Sequence, residues 1–213
     1  CRNRTINKRE NILSRIAMRA EFDITSMVPL ASSLQFATMV FFISAFVLRF
    51  AFPAFSAEGK TIWILGSLPI DFGKVFLGKL IFFTSLFTLF GVLTASLHAS
   101  LLGLPALASI SVILFFILSI VFLTSLGLYL GAVWPNFETD DPEVLSTSLP
   151  GIFFVFVSLL YGGLSALALH SFLSGKGMGE ILLVGAFALG VAGVIVLVTP
   201  GVLRRQEFVA IIE

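Results

Sequence analysis

The chain consists of long uncharged apolar runs separated by short polar links. No Asp, Glu, Lys or Arg occurs between Lys79 and Glu138, and further uncharged runs cover residues 24–48, 144–175 and 181–203. A membrane-spanning helix needs about 20 apolar residues, so the longest run holds two crossings and a turn, and each other run holds one. The runs do not alternate as the strands of a transmembrane barrel would. The pattern therefore predicts an all-α polytopic transmembrane helix bundle of about five spans.

The composition agrees with lipid as the solvent of this fold. Hydrophobic residues make up 58% of the 213 residues, the mean hydropathy is +1.07, and only 12% of residues are charged. Soluble domains have about 45–50% apolar residues, and a chain of this length has too little interior to bury the excess. A net charge of +1 argues against a nucleic-acid partner. The single cysteine excludes an internal disulfide and a cysteine metal cluster.

The predicted organisation is an N-terminal segment, residues 1–29, followed by a transmembrane domain, residues 30–213. The predicted spans are roughly 30–48, 80–97, 106–133, 151–169 and 181–198. The N-terminal segment is basic, with Ile12, Leu13 and Ile16 at helical spacing. It is therefore either an amphipathic surface helix or, equally, a solvated loop of a fragment or processed chain, since the sequence begins with Cys1. Nearly equal numbers of Lys and Arg lie on the two sides, so the positive-inside rule does not choose a topology.

The link between the first two spans is predicted to contain a short surface helix. Ser56 caps its start, Glu58 lies in its first turn, and Pro69 ends it. Trp63 and Leu68 then lie on one apolar stripe. Sequence alone gives two equal interpretations of this stripe: it rests on lipid headgroups, or it docks into a groove of a partner protein.

The link before the fourth span is acidic. It carries Glu138, Asp140, Asp141 and Glu143 around Pro142. A divalent-cation site was considered, but the spacing matches no EF-hand, and acidic residues favour helix N-termini. We therefore interpret this cluster as solvated helix-capping acids and predict no metal site.

No catalytic constellation occurs in the sequence. The centres of the spans carry no charged residue, which argues against the hypothesis of an ion-coupled carrier. Neither the H-E-x-x-H motif of metalloproteases nor the G-x-S-x-G motif of serine hydrolases is present. Gly73 to Lys79 matches G-x-x-x-x-G-K, but Leu80 replaces the Mg²⁺-binding Ser/Thr and the segment leads directly into a span. We expect a chain that is not an enzyme and holds no cofactor. His98 and His170 are predicted to face headgroups at span ends, because two ligands make a poor metal site.

Two pairs of small residues, four positions apart, lie within the spans. They are Gly127 with Gly131, and Ala186 with Gly190. Such pairs permit close helix contact in membranes, although they occur in many bundles and identify no function.

A sparse pattern of residues runs through the two polar links. Its first part comprises Arg49-Phe50, Pro53, Ser56-Ala57-Glu58-Gly59-Lys60, Trp63, Leu68-Pro69-Ile70 and Gly78-Lys79. Its second part comprises Gly131, Pro135-Asn136-Phe137-Glu138, Asp141-Pro142-Glu143, Ser158 and Tyr161. Together they resemble membrane subunits of type-2 ATP-binding-cassette (ABC) exporters, and are closest to a bacterial branch whose loop reads R-F-x-x-P-x-x-S-x-E-G. The resemblance covers roughly residues 30–161.

The resemblance implies a permease that works with a separate ATPase subunit, which binds ATP and Mg²⁺. It implies that both polar links lie at the cytoplasmic face of a bacterial inner membrane. It also implies that Glu58, Lys60, Trp63 and Leu68 belong to a coupling helix that contacts the ATPase subunit. A homodimer or heterodimer of permease units is also implied. Family members commonly have six spans, whereas five are predicted here, so the role of the N-terminal segment stays open.

Two other functions remain as alternatives at this stage. One is a membrane scaffold or assembly protein that transports nothing, and the other is an ATP-independent channel or carrier. The substrate is not identified by the sequence.

Overall fold

The computed structural model describes residues 27–57, 72–135 and 142–210, and these residues form helices without a strand among them. We number the helices in chain order: α1 (Met27–Ala54), α2 (Phe72–Leu101), α3 (Ala106–Val133), α4 (Pro142–Ser146), α5 (Leu149–Leu173) and α6 (Gly179–Ala210). Five of the six are long and apolar enough to cross a membrane. The predicted all-α bundle of five spans is therefore confirmed, and the chain is a multi-pass membrane protein.

The observed helices extend beyond several predicted spans. Helix α3 has the predicted bounds, whereas α2 begins at Phe72 and includes Lys74 and Lys79 in its first turns. Helix α6 continues past Pro200 to Ala210, beyond the predicted end of the fifth span at residue 198. A proline removes only one backbone donor, and neighbouring hydroxyl groups can satisfy nearby carbonyls in membrane helices. Thr199 beside it donates to the carbonyl of Ile195 at 2.6 Å, whereas the carbonyl that loses its usual donor at Pro200 is that of Val196, four residues earlier.

Helix α3 is the centre of the bundle. It packs against each of the other four long helices. Its second half is buried almost all round, including Ser119, Ile120 and every residue from Phe122 to Leu128. A helix that is apolar on all sides belongs in such a position. The other long helices expose large apolar side chains such as Leu101, Leu149 and Leu197, as expected for surfaces that face lipid.

Two tight turns connect helices at one end of the bundle. The turn after α2 uses Gly103 at φ 61°, and the turn after α5 uses Gly175 and Gly177 at φ 77° and 121°. Glycine adopts this left-handed region without a steric cost. Because α2 and α5 end at these turns, they begin at the opposite end of the bundle. The two polar links, which precede α2 and α5, therefore lie at that opposite end, where α1 and α3 finish.

Candidate functional site

The end of the bundle that carries the polar links includes the ends of α1, α2, α3 and α5 and the short helix α4. The ring of Phe55, just after α1, stacks on Phe76 of α2 at 6.3 Å. Helix α4 packs on the last two turns of α1 and buries Leu145. The start of α5 follows directly, and α3 ends against Phe52. The two polar links thus leave the same end of the bundle.

Helix α1 changes its geometry where it reaches this surface. A π turn, Val47–Ala51, is followed by a 3-10 turn, Phe52–Ala54. The N–H of Phe52 bonds the carbonyl of Val47, five residues earlier, and Pro53 has no N–H to continue an α-helical pattern. Single π turns inside helices often mark functional sites. The apolar pattern of the sequence does not predict this turn, and Pro53 is the local signal for it.

The end of α1 touches the backbone of α3 through the first small-residue pair. A Cβ atom added at Gly131 would collide with the carbonyl oxygen of Phe52, and one added at Gly127 would collide with a γ-methyl of Val47. Both glycines therefore lie at a close α1–α3 contact.

The second small-residue pair lies elsewhere. Ala186 and Gly190 are on an exposed face of α6, and a Cβ atom added at Gly190 meets nothing within 4 Å. Within the described part of the chain, this pair makes no close helix contact.

Lys79 links α2 to the end of α1. Its Nζ donates to the carbonyl of Ala54 at 2.9 Å and lies 5.1 Å from the centre of the Phe55 ring. The ammonium is thus placed on a carbonyl of the last turn of α1 and over an aromatic face, both of which attract a cation. Lys79 therefore connects the last turn of α1 to α2.

Most of the predicted site residues of the two polar links lie outside the described residues. These are Glu58, Lys60, Trp63 and Leu68 of the first link, and Glu138 and Asp141 of the second. Glu143 is described, and its exposed side chain lies in the first turn of α4, which begins at Pro142.

The comparisons with known proteins gave one family. The family model described as "Putative ATP-binding cassette" matches residues 12–200 of the chain. The chain belongs to this ATP-binding-cassette family. The matched region includes all of α1 to α5 and most of α6. No curated protein and no solved structure matches the chain.

In this family member, the match to a phosphate-binding loop is part of a helix. Gly73 to Lys79 form the first turns of α2. A phosphate-binding loop needs a strand, then an irregular glycine-rich loop whose N–H groups point at phosphates, then a helix. The helical backbone of this segment does not provide that arrangement, and Lys79 already contacts Ala54 and Phe55.

One of the two histidines does not lie where the sequence analysis placed it. His98 is only 2% exposed, and within the described residues neither ring nitrogen has a hydrogen-bond partner. The expectation that it faces headgroups is wrong, because it follows Gly91 and Ala95 on the face of α2 that packs on α3. That spacing of small residues was the available signal. His170 is partly buried, with its Nδ1 at 3.5 Å from Ser33 Oγ.

A buried pair of hydroxyl groups joins α3 to α5. Ser119 Oγ and Tyr161 Oη are 2.9 Å apart, and the Tyr161 ring lies 4.5 Å from that of Phe122. In lipid, a polar group without a partner is costly, so this pair favours one register between the two helices. In the sequence, Tyr161 stands out only as part of the family resemblance, and nothing there indicates Ser119 as its partner.

Proposed function

We propose that the chain is the permease subunit of an ABC exporter and that a separate subunit binds and hydrolyses ATP. Membership of the ATP-binding-cassette family supports the first part, because the matched region is a bundle of membrane-spanning helices. The helical backbone of Gly73 to Lys79 supports the second part. The proposal places both polar links at the cytoplasmic face of a bacterial inner membrane.

The observation that carries the proposal is the attachment of the first link to two helices at once. The link at residues 58–71 connects Ala57 to Phe72. Immediately before it, Ala54 accepts a hydrogen bond from Lys79 of α2 and Phe55 stacks on Phe76. A force applied to the link therefore acts on α1 and α2 as one unit.

The same unit is in contact with the centre of the bundle. The carbonyl of Phe52 lies against Gly131 of α3, with no side chain between the two backbones. Packed backbones have little compressibility, so displacement of α1 requires α3 to move or the contact to slide. The ATPase can bias such a change only if its two nucleotide states contact the link differently. In this proposal Glu58, Lys60, Trp63 and Leu68 make that contact.

The first test is whether an ATPase subunit with a complete phosphate-binding loop co-purifies with the full chain from its native membrane. The complex is then made with Trp63→Ala or Glu58→Ala. Removal of a central aromatic contact costs at least about 2 kcal/mol of binding, or roughly 30-fold in affinity. We expect both variants to insert into the membrane at the wild-type level but to lose the ATPase subunit or its coupled MgATP hydrolysis.

Met178→Ala is the matched control, because Met178 is an exposed apolar side chain in the turn at the opposite end of the bundle. It should leave hydrolysis unchanged. Topology is checked with single cysteines in a Cys1→Ser background: Ser67→Cys should react from the cytoplasmic side and Lys176→Cys from the other. Wild-type coupling in both link variants, or labelling of Ser67→Cys from outside, contradicts the proposal.

A further inference from the structure

A lateral groove separates α1 from α2 along part of their length. Its volume is about 550 Å³, and most of its lining residues are phenylalanines. Phe46 and Phe50 of α1 form one wall, Phe82 and Phe90 of α2 form the other, and Phe116 of α3 forms the floor. The wall residues are about half exposed while Phe116 is buried. The groove is thus closed at its base and open along the outer surface of the bundle.

The groove is about as long as one membrane leaflet is thick. On α2 its lining extends from Phe82 to Thr94. At 1.5 Å per residue this segment rises about 18 Å. The hydrocarbon core is about 30 Å thick, so one leaflet contributes about 15 Å. The groove therefore matches an extended acyl chain of one leaflet in length.

Positive charge lies at one end of the groove. Arg49 immediately precedes the lining residue Phe50 and is exposed, and Lys79 lies three residues before the lining residue Phe82. The described parts of α1 and α2 contain no carboxylate, and Glu143 lies on the neighbouring helix α4. The long stem of an arginine lets its guanidinium reach the headgroup layer.

We infer that this groove binds an acyl chain of an anionic phospholipid whose phosphate pairs with Arg49. Lipid tails are as apolar as the groove, so burial gives little preference over bulk lipid. The preference must come from the net charge of the headgroup, because a guanidinium can pair with the phosphate of an anionic or a zwitterionic phospholipid alike. One cation near an anionic membrane surface favours the anionic lipid roughly fivefold. This inference does not depend on transport and holds for a scaffold as well.

The test uses the full chain reconstituted in vesicles of equal phosphatidylglycerol and phosphatidylcholine, then released and analysed by native mass spectrometry. The wild-type chain should retain phosphatidylglycerol with about fivefold enrichment. Arg49→Gln should reduce the enrichment to near unity. Lys74→Gln is the matched control and should preserve it, because Lys74 is exposed and lies two and a half turns from Phe83 of the groove, on the other side of α2.

A second pair of variants tests the groove itself. Leu86→Trp fills the groove from α2 and should lower the amount of retained phosphatidylglycerol. Leu160→Trp adds the same side chain at an exposed position on α5, outside the groove, and should not. Equal retention of both lipids by the wild-type chain overturns the inference, as does unchanged retention in Leu86→Trp. Cross-linking of Phe50→Cys to a second copy of the chain, with no lipid retained, also overturns it.

Discussion

Replacing Gly131 by alanine should destabilise the bundle at its most crowded contact. The new methyl group would occupy the place of the Phe52 carbonyl oxygen. This neighbour is backbone, held by the π turn on one side and by the hydrogen bond from Lys79 to Ala54 on the other. It cannot rotate away as a side-chain tip would, so α1 and α3 must separate.

The size of the effect follows from two opposing contributions. Overpacking typically costs about 1–3 kcal/mol, and contact with backbone places this site at the upper end. Alanine in place of glycine returns up to about 1 kcal/mol through helix propensity. We therefore expect a net loss of about 2 kcal/mol. For a chain of this size this corresponds to a fall in Tm of roughly 4–8 °C.

The assay is thermal unfolding of the purified full chain in one detergent, followed by intrinsic tryptophan fluorescence. Gly190→Ala is the matched control, since a Cβ atom there meets nothing within 4 Å. Gly190→Ala should gain the stability that the higher helix propensity of alanine provides, and its Tm should rise by roughly 2–4 °C. A Gly131→Ala chain as stable as the Gly190→Ala chain would refute the close α1–α3 contact.

Two further substitutions probe buried polar groups in the spans. Tyr161→Phe removes the hydrogen bond to Ser119 and should lower the unfolding free energy by about 1 kcal/mol. A double-mutant cycle with Ser119→Ala should give a coupling energy of about 0.6 kcal/mol. Zero coupling would mean that the bond does not form in the membrane. His98→Leu removes two ring nitrogens that lack partners among the described residues; it should raise the unfolding free energy by about 1–2 kcal/mol. A fall in stability of the His98→Leu chain would instead indicate that bound water or a ligand satisfies the ring.

The number of membrane-spanning helices could be predicted because the lipid environment requires each long uncharged run to form a helix. An uncharged run of sufficient length has no stable alternative to a helix in hydrocarbon. The predicted third span, residues 106–133, coincides with α3. The predictions for the coupling residues, such as Trp63, fall outside the described residues and remain predictions.

The inward and outward faces of the helices could not be predicted in the same way. In a soluble helix the buried face is apolar and the other polar, but here both lipid and core are apolar. Phe90 and Phe116 are the same residue type, yet the first is 59% exposed and the second 1%. The groove between α1 and α2 and the burial of His98 both depend on this orientation. Small residues are the clearest indication of which helix face points inward, because Gly91, Gly127 and Gly131 lie at helix contacts.

The wide turn at Val47–Ala51 holds one residue more than an ordinary helical turn. An extra residue turns the helical segment beyond it by about 100°, a little more than a quarter of a revolution, relative to an uninterrupted α-helix. In α1 that segment carries Phe52 and Ala54, the two residues that touch α3 and Lys79. The extra residue in the first helix therefore sets the direction in which its last turn presents the Phe52 carbonyl to α3 and the Ala54 carbonyl to Lys79.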